Sequence, residues 1–146
     1  MVNEYIMLLS VFVWAGCIIA ISFMESWLKF RAPGVTVPIG LSIGKLVFNA
    51  LNKMEWFFAA VLAISYFFNT QQIGTPGIVL FALAVWLLIM QTFWLLPALD
   101  ARANIVISGK TLASSSLHWY FVGVEIIKLS SLLILGFRLF NVFVAG

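Results

Sequence analysis

WFFAAVLAISYFFNTQQIGTPGIVLFALAVWLLIMQTFWLLPAL, residues 56–99, contains no charged side chain. Glu55 and Asp100 bracket it, and the polar break Asn69-Thr-Gln-Gln-Ile-Gly-Thr-Pro76 divides it into two apolar runs. A soluble domain of this size cannot hide so much apolar surface. A bilayer can, and about 20 apolar residues cross one as a helix. Across the whole chain 64% of residues are hydrophobic, 9% are charged, and the mean hydropathy is +1.13, whereas soluble domains average about 25% charge. The solvent is therefore lipid. The fold class expected is all-α: an integral membrane four-helix bundle in one domain spanning residues 1–146.

Trp56–Phe68 is too short to cross alone. The second span must borrow upstream residues, giving about 46–68 and setting Asn49, Asn52, Lys53 and Glu55 within or at the edge of the membrane. The third span opens at Thr75-Pro76-Gly77, a cap followed by proline at the first helical position. It runs over about 76–96, where Pro97 is expected to kink or end it. Upstream, an uninterrupted apolar run gives a first span over about 5–24. It exceeds a signal-peptide core and lacks a Lys/Arg region ahead of it, so it is read as a retained span. Downstream, Ser114-Ser115-Ser116 can cap a fourth span over about 117–143, long enough to tilt or protrude.

The link after span one contains Arg31-Ala-Pro-Gly-Val-Thr-Val-Pro38. It leads into Ile39, Ile43, Leu46, Val47 and Ala50 at helical spacing, which predicts an amphipathic lead-in to the second span. Gly40 and Gly44 there form a small-xxx-small pair, equally a packing contact or a coincidence.

Lys29, Arg31, Lys45 and Lys53 follow span one, and Arg102 and Lys110 follow span three. The amino end, the link after span two and the tail beyond Arg138 carry no Lys or Arg. The positive-inside bias then predicts both termini outside, in a plasma (inner) membrane. Trp27, Trp56, Trp94 and Trp119 fall near the inner span ends as an aromatic belt. The few basic residues are topology signals and not a nucleic-acid footprint. Cys17, the single cysteine, permits no internal disulfide and reads as a small buried hydrophobe.

The chemistry rests with the few polar groups inside. Counted inward at ~1.5 Å per residue, Glu25 ends span one, Glu55 lies within span two, and Asp100 sits past the end of span three. Glu125 and Lys128 share one face of span four at i, i+3, with His118 two turns earlier on that stripe. Asn49, Asn52, Lys53, Arg102 and Asn104 are available partners. Intramembrane ionisable groups cost about 2.5–3.5 kcal/mol each on insertion scales, so they face the bundle interior and pair. The alternatives are a structural clasp, Glu55 with Lys128 or Glu125 with Lys53, or a cytoplasm-facing polar site for an ion, a proton or a small headgroup. An apolar plug around Phe81, Leu83, Trp86 and Tyr66-Phe67-Phe68 would close that site on the outer side. Gln91 is read as an interhelical hydrogen bond.

No catalytic set emerges. The chain lacks the Glu-x-x-His repeats of di-iron bundles, paired metal ligands, a phosphate loop, a nucleophile elbow and Cys-x-x-Cys. No cofactor and no metal are predicted.

Gly40-x-x-x-Gly44-Lys45-Leu46-Val47-Phe48, Leu95-Leu96-Pro97 followed by Asp100-Ala101-Arg102, and Trp14-Ala15-Gly16 together resemble a family of small four-helix membrane proteins of unknown function. The cisplatin-resistance-associated transmembrane protein belongs to that family. The family commonly shows a His-Gly pair in the fourth span, where this chain has His118-Trp119 and then Glu125. The resemblance implies the four-helix fold and hardly constrains activity. The expectation is a non-enzymatic binding or assembly module. It would be a homo-oligomer or a subunit of a membrane complex, or a carrier of a cationic or lipophilic ligand, with the lipid bilayer as its constant partner. A membrane oxidoreductase with a bound cofactor is the alternative.

Overall fold

A computed structural model describes residues 2–68 and 70–145. Among them every regular element is helical. Four helices are long and apolar enough to cross a membrane: α1 (Val2–Arg31), α2 (Val37–Phe67), α3 (Ile73–Ile107) and α4 (Leu117–Val144). All four exceed the apolar stretches that announce them. The added turns lie mostly at the ends where the basic residues collect, hereafter the basic end of the bundle. Consecutive helices pack side by side and α4 returns to α1, an up-down-up-down arrangement.

The turns follow local chemistry. Gly34 takes φ 82° in the α1–α2 link, and Pro38 opens α2 after an extended Thr36. Gly74, at φ 67° and ψ 166°, breaks the helical path just ahead of Pro76, so the regular part of α3 begins where the Thr-Pro-Gly signal lies. At the basic end Gly109 takes φ 84°. Its N–H donates to the Val106 carbonyl at 3.0 Å, and that of Lys110 to Ile105 at 3.2 Å. These paired bonds make a Schellman closure of α3. Ser115 Oγ accepts the Leu117 N–H at 3.1 Å at the start of α4.

Pro97 does not end the third helix. The helix widens to a π turn over Gln91–Leu95, in which the Leu96 N–H reaches the Gln91 carbonyl, and resumes as far as Ile107. The wider turn accommodates a ring that cannot donate and would crowd the carbonyl four residues back.

Residues 39–50, expected as a lead-in, are continuous with α2. Ile39, Ile43, Leu46 and Ala50 point outward, while Gly40 and Gly44 are buried. A Cβ on Gly40 would come within 2.2 Å of the Phe30 ring, and one on Gly44 within 2.8 Å of Lys29 Nζ. The pair is thus a seat for the end of α1.

The main core joins Met7, Val11, Trp14 and Ile18 of α1 to Ala59 and Leu62 of α2, Ala84 and Leu88 of α3, and Leu132, Leu135 and Leu139 of α4. Small residues at Ala15, Ala59, Ala84 and Gly136 allow close helix approach. The outside is as apolar as the inside. Leu9, Phe57, Ile64, Trp86, Phe93 and Phe137 are all exposed, as expected where lipid is the solvent. The expected plug is corrected here. Leu83, Trp86, Phe67 and Phe68 face outward, and of that set only Tyr66 and Phe81 pack on the core, ring against ring at 6.1 Å. A uniformly apolar run gives no signal for which of its faces turns inward.

Candidate functional site: a buried ionic cluster

Each helix sends one polar group or more to a common point near the middle of the bundle. Trp14 of α1 is 0% exposed, Glu55 of α2 2%, Gln91 of α3 1%, and Glu125 and Lys128 of α4 1% and 0%. These values match those of the core leucines. Lys128 Nζ has three hydrogens, and three acceptors surround it: Glu55 Oε1, Gln91 Oε1 and Glu125 Oε1, the last at 3.0 Å. Trp14 Nε1 donates to Glu55 Oε1 at 2.9 Å. Gln91 Nε2 donates to Glu125 Oε1. The i, i+3 spacing of Glu125 and Lys128 keeps their side chains adjacent on α4, and Gln91 enters from the first residue of the π turn.

One atom is left over. Glu125 Oε2 is buried and has no hydrogen-bond partner, although an ionised carboxylate accepts on both oxygens. The charges do not balance either. With both carboxyls ionised, two negative groups face one ammonium, a net charge of −1 away from water.

The remaining expected site residues lie towards the basic end, in a second and shallower tier. Glu25 pairs with Lys29 at 3.1 Å, one turn apart on α1. Lys29 also lies 5.2 Å from the centre of the Phe48 ring. Lys45 Nζ donates to Asn104 Oδ1 at 2.8 Å, and Asn49 Nδ2 to Asp100 Oδ2 at 3.0 Å. Asn52 Nδ2 and Trp56 Nε1 donate to Thr92 Oγ1 at 3.0 and 2.9 Å, and Thr92 passes its own hydrogen to the Leu88 carbonyl at 2.7 Å. Arg102 donates to the Ala113 carbonyl at 2.5 Å, bracing the α3–α4 link. A half-open cavity of about 150 Å³ sits among these groups, lined by Lys29, Phe30, Lys45, Phe48, Asp100 and His118. Ser22 Oγ and Glu25 Oε1, on the π turn of α1, are buried without partners.

The ten residues expected to gather in one site therefore divide. Glu55, Glu125 and Lys128 meet at the centre. Glu25, Asn49, Asp100, Arg102 and His118 belong to the basic end, with Asn52 between the two levels. Lys53 joins neither. It is two positions from Glu55, about 200° round the helix, and is exposed. Glu125 accordingly pairs with Lys128, not with Lys53. His118 shares a stripe with Glu125 in sequence, yet it is exposed and lines the cavity two turns away.

Sequence reasoning left Trp14 out and gave Gln91 no place in the site. Both carried a readable signal. Trp14 lies midway along its span, away from the belt that Trp27, Trp56, Trp94 and Trp119 form, and Gln91 is the one amide side chain between Pro76 and Asp100. Among the described residues no three His, Cys, Asp or Glu side chains gather as metal ligands. No protein-family model matches the chain, nor does any curated protein or solved structure.

Proposed function

We propose that this chain is a multi-pass protein of the plasma (inner) membrane that acts as a non-enzymatic binding module, holding one small cation, the proton included, on the buried Glu55–Glu125 pair. One observation carries the reading: two carboxyls share a single ammonium at 0–2% exposure, and Glu125 Oε2 has no partner. A net charge buried in lipid is costly, by several kcal/mol per ion after relaxation. A bound cation removes that cost. Lys29, Arg31, Lys45, Arg102 and Lys110 near one end of the bundle support placing that end in the cytoplasm and both termini outside. A far half whose buried polar groups are the scattered serines Ser10, Ser65 and Ser131 suits capture and release on one side better than free conduction, which needs a polar path throughout.

Purified protein in nanodiscs should take up one cation equivalent per chain, as proton, sodium or potassium. Glu125→Gln should abolish that uptake while the bundle still inserts and folds. Unchanged uptake in both Glu125→Gln and Glu55→Gln would defeat the reading. Labelling of single cysteines tests the orientation: a cysteine at Thr75 should react from outside and one at Ser115 from the cytoplasmic side. The network also touches all four helices, which favours a second reading as an assembly clasp. An apolar replacement of Glu55, Glu125 and Lys128 together would leave a clasp-free bundle folded and abolish binding. The visible spectrum and metal content of the purified protein test the oxidoreductase alternative, which stoichiometric haem, flavin or iron would favour.

A further inference from the structure

The buried pair has an approach from one end. On α2, Lys45, Asn49, Asn52 and Glu55 follow one another at spacings of four, three and three, so they descend one side of the helix. The first three each meet a polar group of α3. Lys45 bonds Asn104 at 2.8 Å, Asn49 bonds Asp100 at 3.0 Å, and Asn52 bonds Thr92 at 3.0 Å. The α3 partners run in the reverse order, as two antiparallel helices require. The seam therefore has three polar rungs. Its outermost lies beside the basic-end cavity, which Lys45 and Asp100 line. Its innermost ends at Thr92, next in sequence to Gln91 of the buried cluster. From Asn52 to Glu55 is one further helical turn, about 5–6 Å between Cβ atoms, a gap of the size that a single water can bridge.

Beyond Glu55 the same side of α2 offers Ala59 and Leu62. Both are buried in the main core with Met7, Val11, Leu132 and Leu135. Polar rungs stand on one side of the cluster; on the other, the buried serines Ser10, Ser65 and Ser131 are scattered through an apolar layer.

We propose that the α2–α3 seam is a proton entry path from the basic end, and that the cation held on the Glu55–Glu125 pair is a proton. This rests on the binding reading above and names its ligand. The step is simple in its balance. A proton from water adds to a carboxylate oxygen of the pair, an O–H bond forms, and the cluster passes from −1 to neutral. Release reverses this, and no electron moves. The groups facing the pair are the Trp14 indole and the half-buried Cys17 thiol on α1, the Gln91 amide on α3, and the Lys128 ammonium on α4. Lys128 is the one cation among them, so it can balance one carboxylate and not two.

Infrared spectroscopy of the full chain in nanodiscs tests this. Near neutral pH the wild-type protein should show the carbonyl band of one protonated, buried carboxyl. Glu55→Gln and Glu125→Gln should each remove it, because a single remaining carboxylate balances Lys128 without a proton. On mixing with heavy water the wild-type band shifts at the rate of proton exchange. Asn52→Leu and Thr92→Val should each slow that shift roughly tenfold or more without changing the band's equilibrium intensity. Tyr66→Phe, at the far end of α2, should leave the rate as it is.

The outcomes separate the two levels of the argument. No band in the wild-type protein, with sodium or potassium bound instead, overturns the proton and leaves the binding reading standing. A band that survives both Gln variants overturns both. A band that responds to the Gln variants while exchange is indifferent to Asn52 and Thr92, or slows with Tyr66→Phe, overturns the entry path.

Discussion

Glu25–Lys29 at the basic end and Glu55–Lys128–Glu125 at the centre use the same two side-chain types in opposite circumstances. In the first, the side chains are 24% and 8% exposed and sit one turn apart on a single helix. In the second, they are 0–3% exposed and join three positions on two helices, with donors from the other two. The outer pair also leaves one carboxylate oxygen, Glu25 Oε1, buried without a partner, but its charges balance one to one and Lys29 lines the half-open cavity. The inner group lines no such cavity, and besides its orphaned oxygen it has two carboxyls for one ammonium, so one negative charge is left over. The difference shows that function is to be sought where the protein cannot fall back on solvent.

Removing the central cation tests that contrast most severely. Lys128→Met leaves Glu55 and Glu125 facing each other with no ammonium between them. Breaking a buried ionic group in this way costs about 3–5 kcal/mol in soluble proteins. Unfolding in mixed detergent should show a loss towards the lower end of that range, since helices unfolded within a membrane also find partners. Adding Glu55→Gln and Glu125→Gln to Lys128→Met should restore most of the loss. A triple variant no more stable than Lys128→Met would mean that charge imbalance is not the cause.

Trp14→Phe comes next. It keeps the ring and deletes the Nε1 donor that Glu55 accepts at 2.9 Å. A hydrogen bond to a charged group is worth about 1.5–3 kcal/mol, and a loss of that order is expected in the same assay. Trp27→Phe at the basic end, where the side chain is half exposed, should change little. Equal effects of the two substitutions would erase the distinction between the tiers.

The contrast between the tiers was only partly visible in the sequence. The four helices were plain, because a charge-free stretch such as 56–99 has one physical solution in lipid. Glu55, Glu125 and Lys128 were visible as intramembrane charges, and the spacing of Glu125 and Lys128 put them on one face. Depth counting, however, fixes level and not direction round the helix. It could not separate Glu55 from Lys53, or choose between Trp86, which faces lipid, and Leu88, which is in the core. The direction becomes known only when neighbouring helices are in place. The mid-span depth of Trp14 sets it apart from the belt, but which group its N–H meets is known only once Glu55 is placed opposite it.

A smaller effect is expected at the seat that Gly40 provides for α1. An added Cβ would come within 2.2 Å of the Phe30 ring. Phe30 is exposed enough to swing outward, so Gly40→Ala should cost about 1 kcal/mol, the low end for overpacking. The ring also lines the cavity, whose shape should change with it. The carboxyl band of the central cluster should be unaffected, since the disturbance lies at the other tier.

The smallest effect belongs to the outer ion pair, and it closes the comparison. Glu25→Gln leaves Lys29 without its carboxylate at 3.1 Å. Lys29, 8% exposed, keeps the ring faces of Phe30 and Phe48, at 5.5 and 5.2 Å, and it lines the half-open cavity, through which the ammonium can reach water. Ion pairs with access to solvent contribute about 0–1 kcal/mol, and salt screens them. The stability of Glu25→Gln should thus lie within about 0.5 kcal/mol of the unaltered chain, and the gap should narrow as salt is raised. The losses in Lys128→Met and Trp14→Phe should be nearly insensitive to salt, because a screening atmosphere of ions does not form around groups at 0–2% exposure. Salt therefore distinguishes the tiers independently of their magnitudes. If Glu25→Gln proved as costly as Trp14→Phe and equally indifferent to salt, the basic end would be as closed as the centre, and an entry path beginning there would lose its footing.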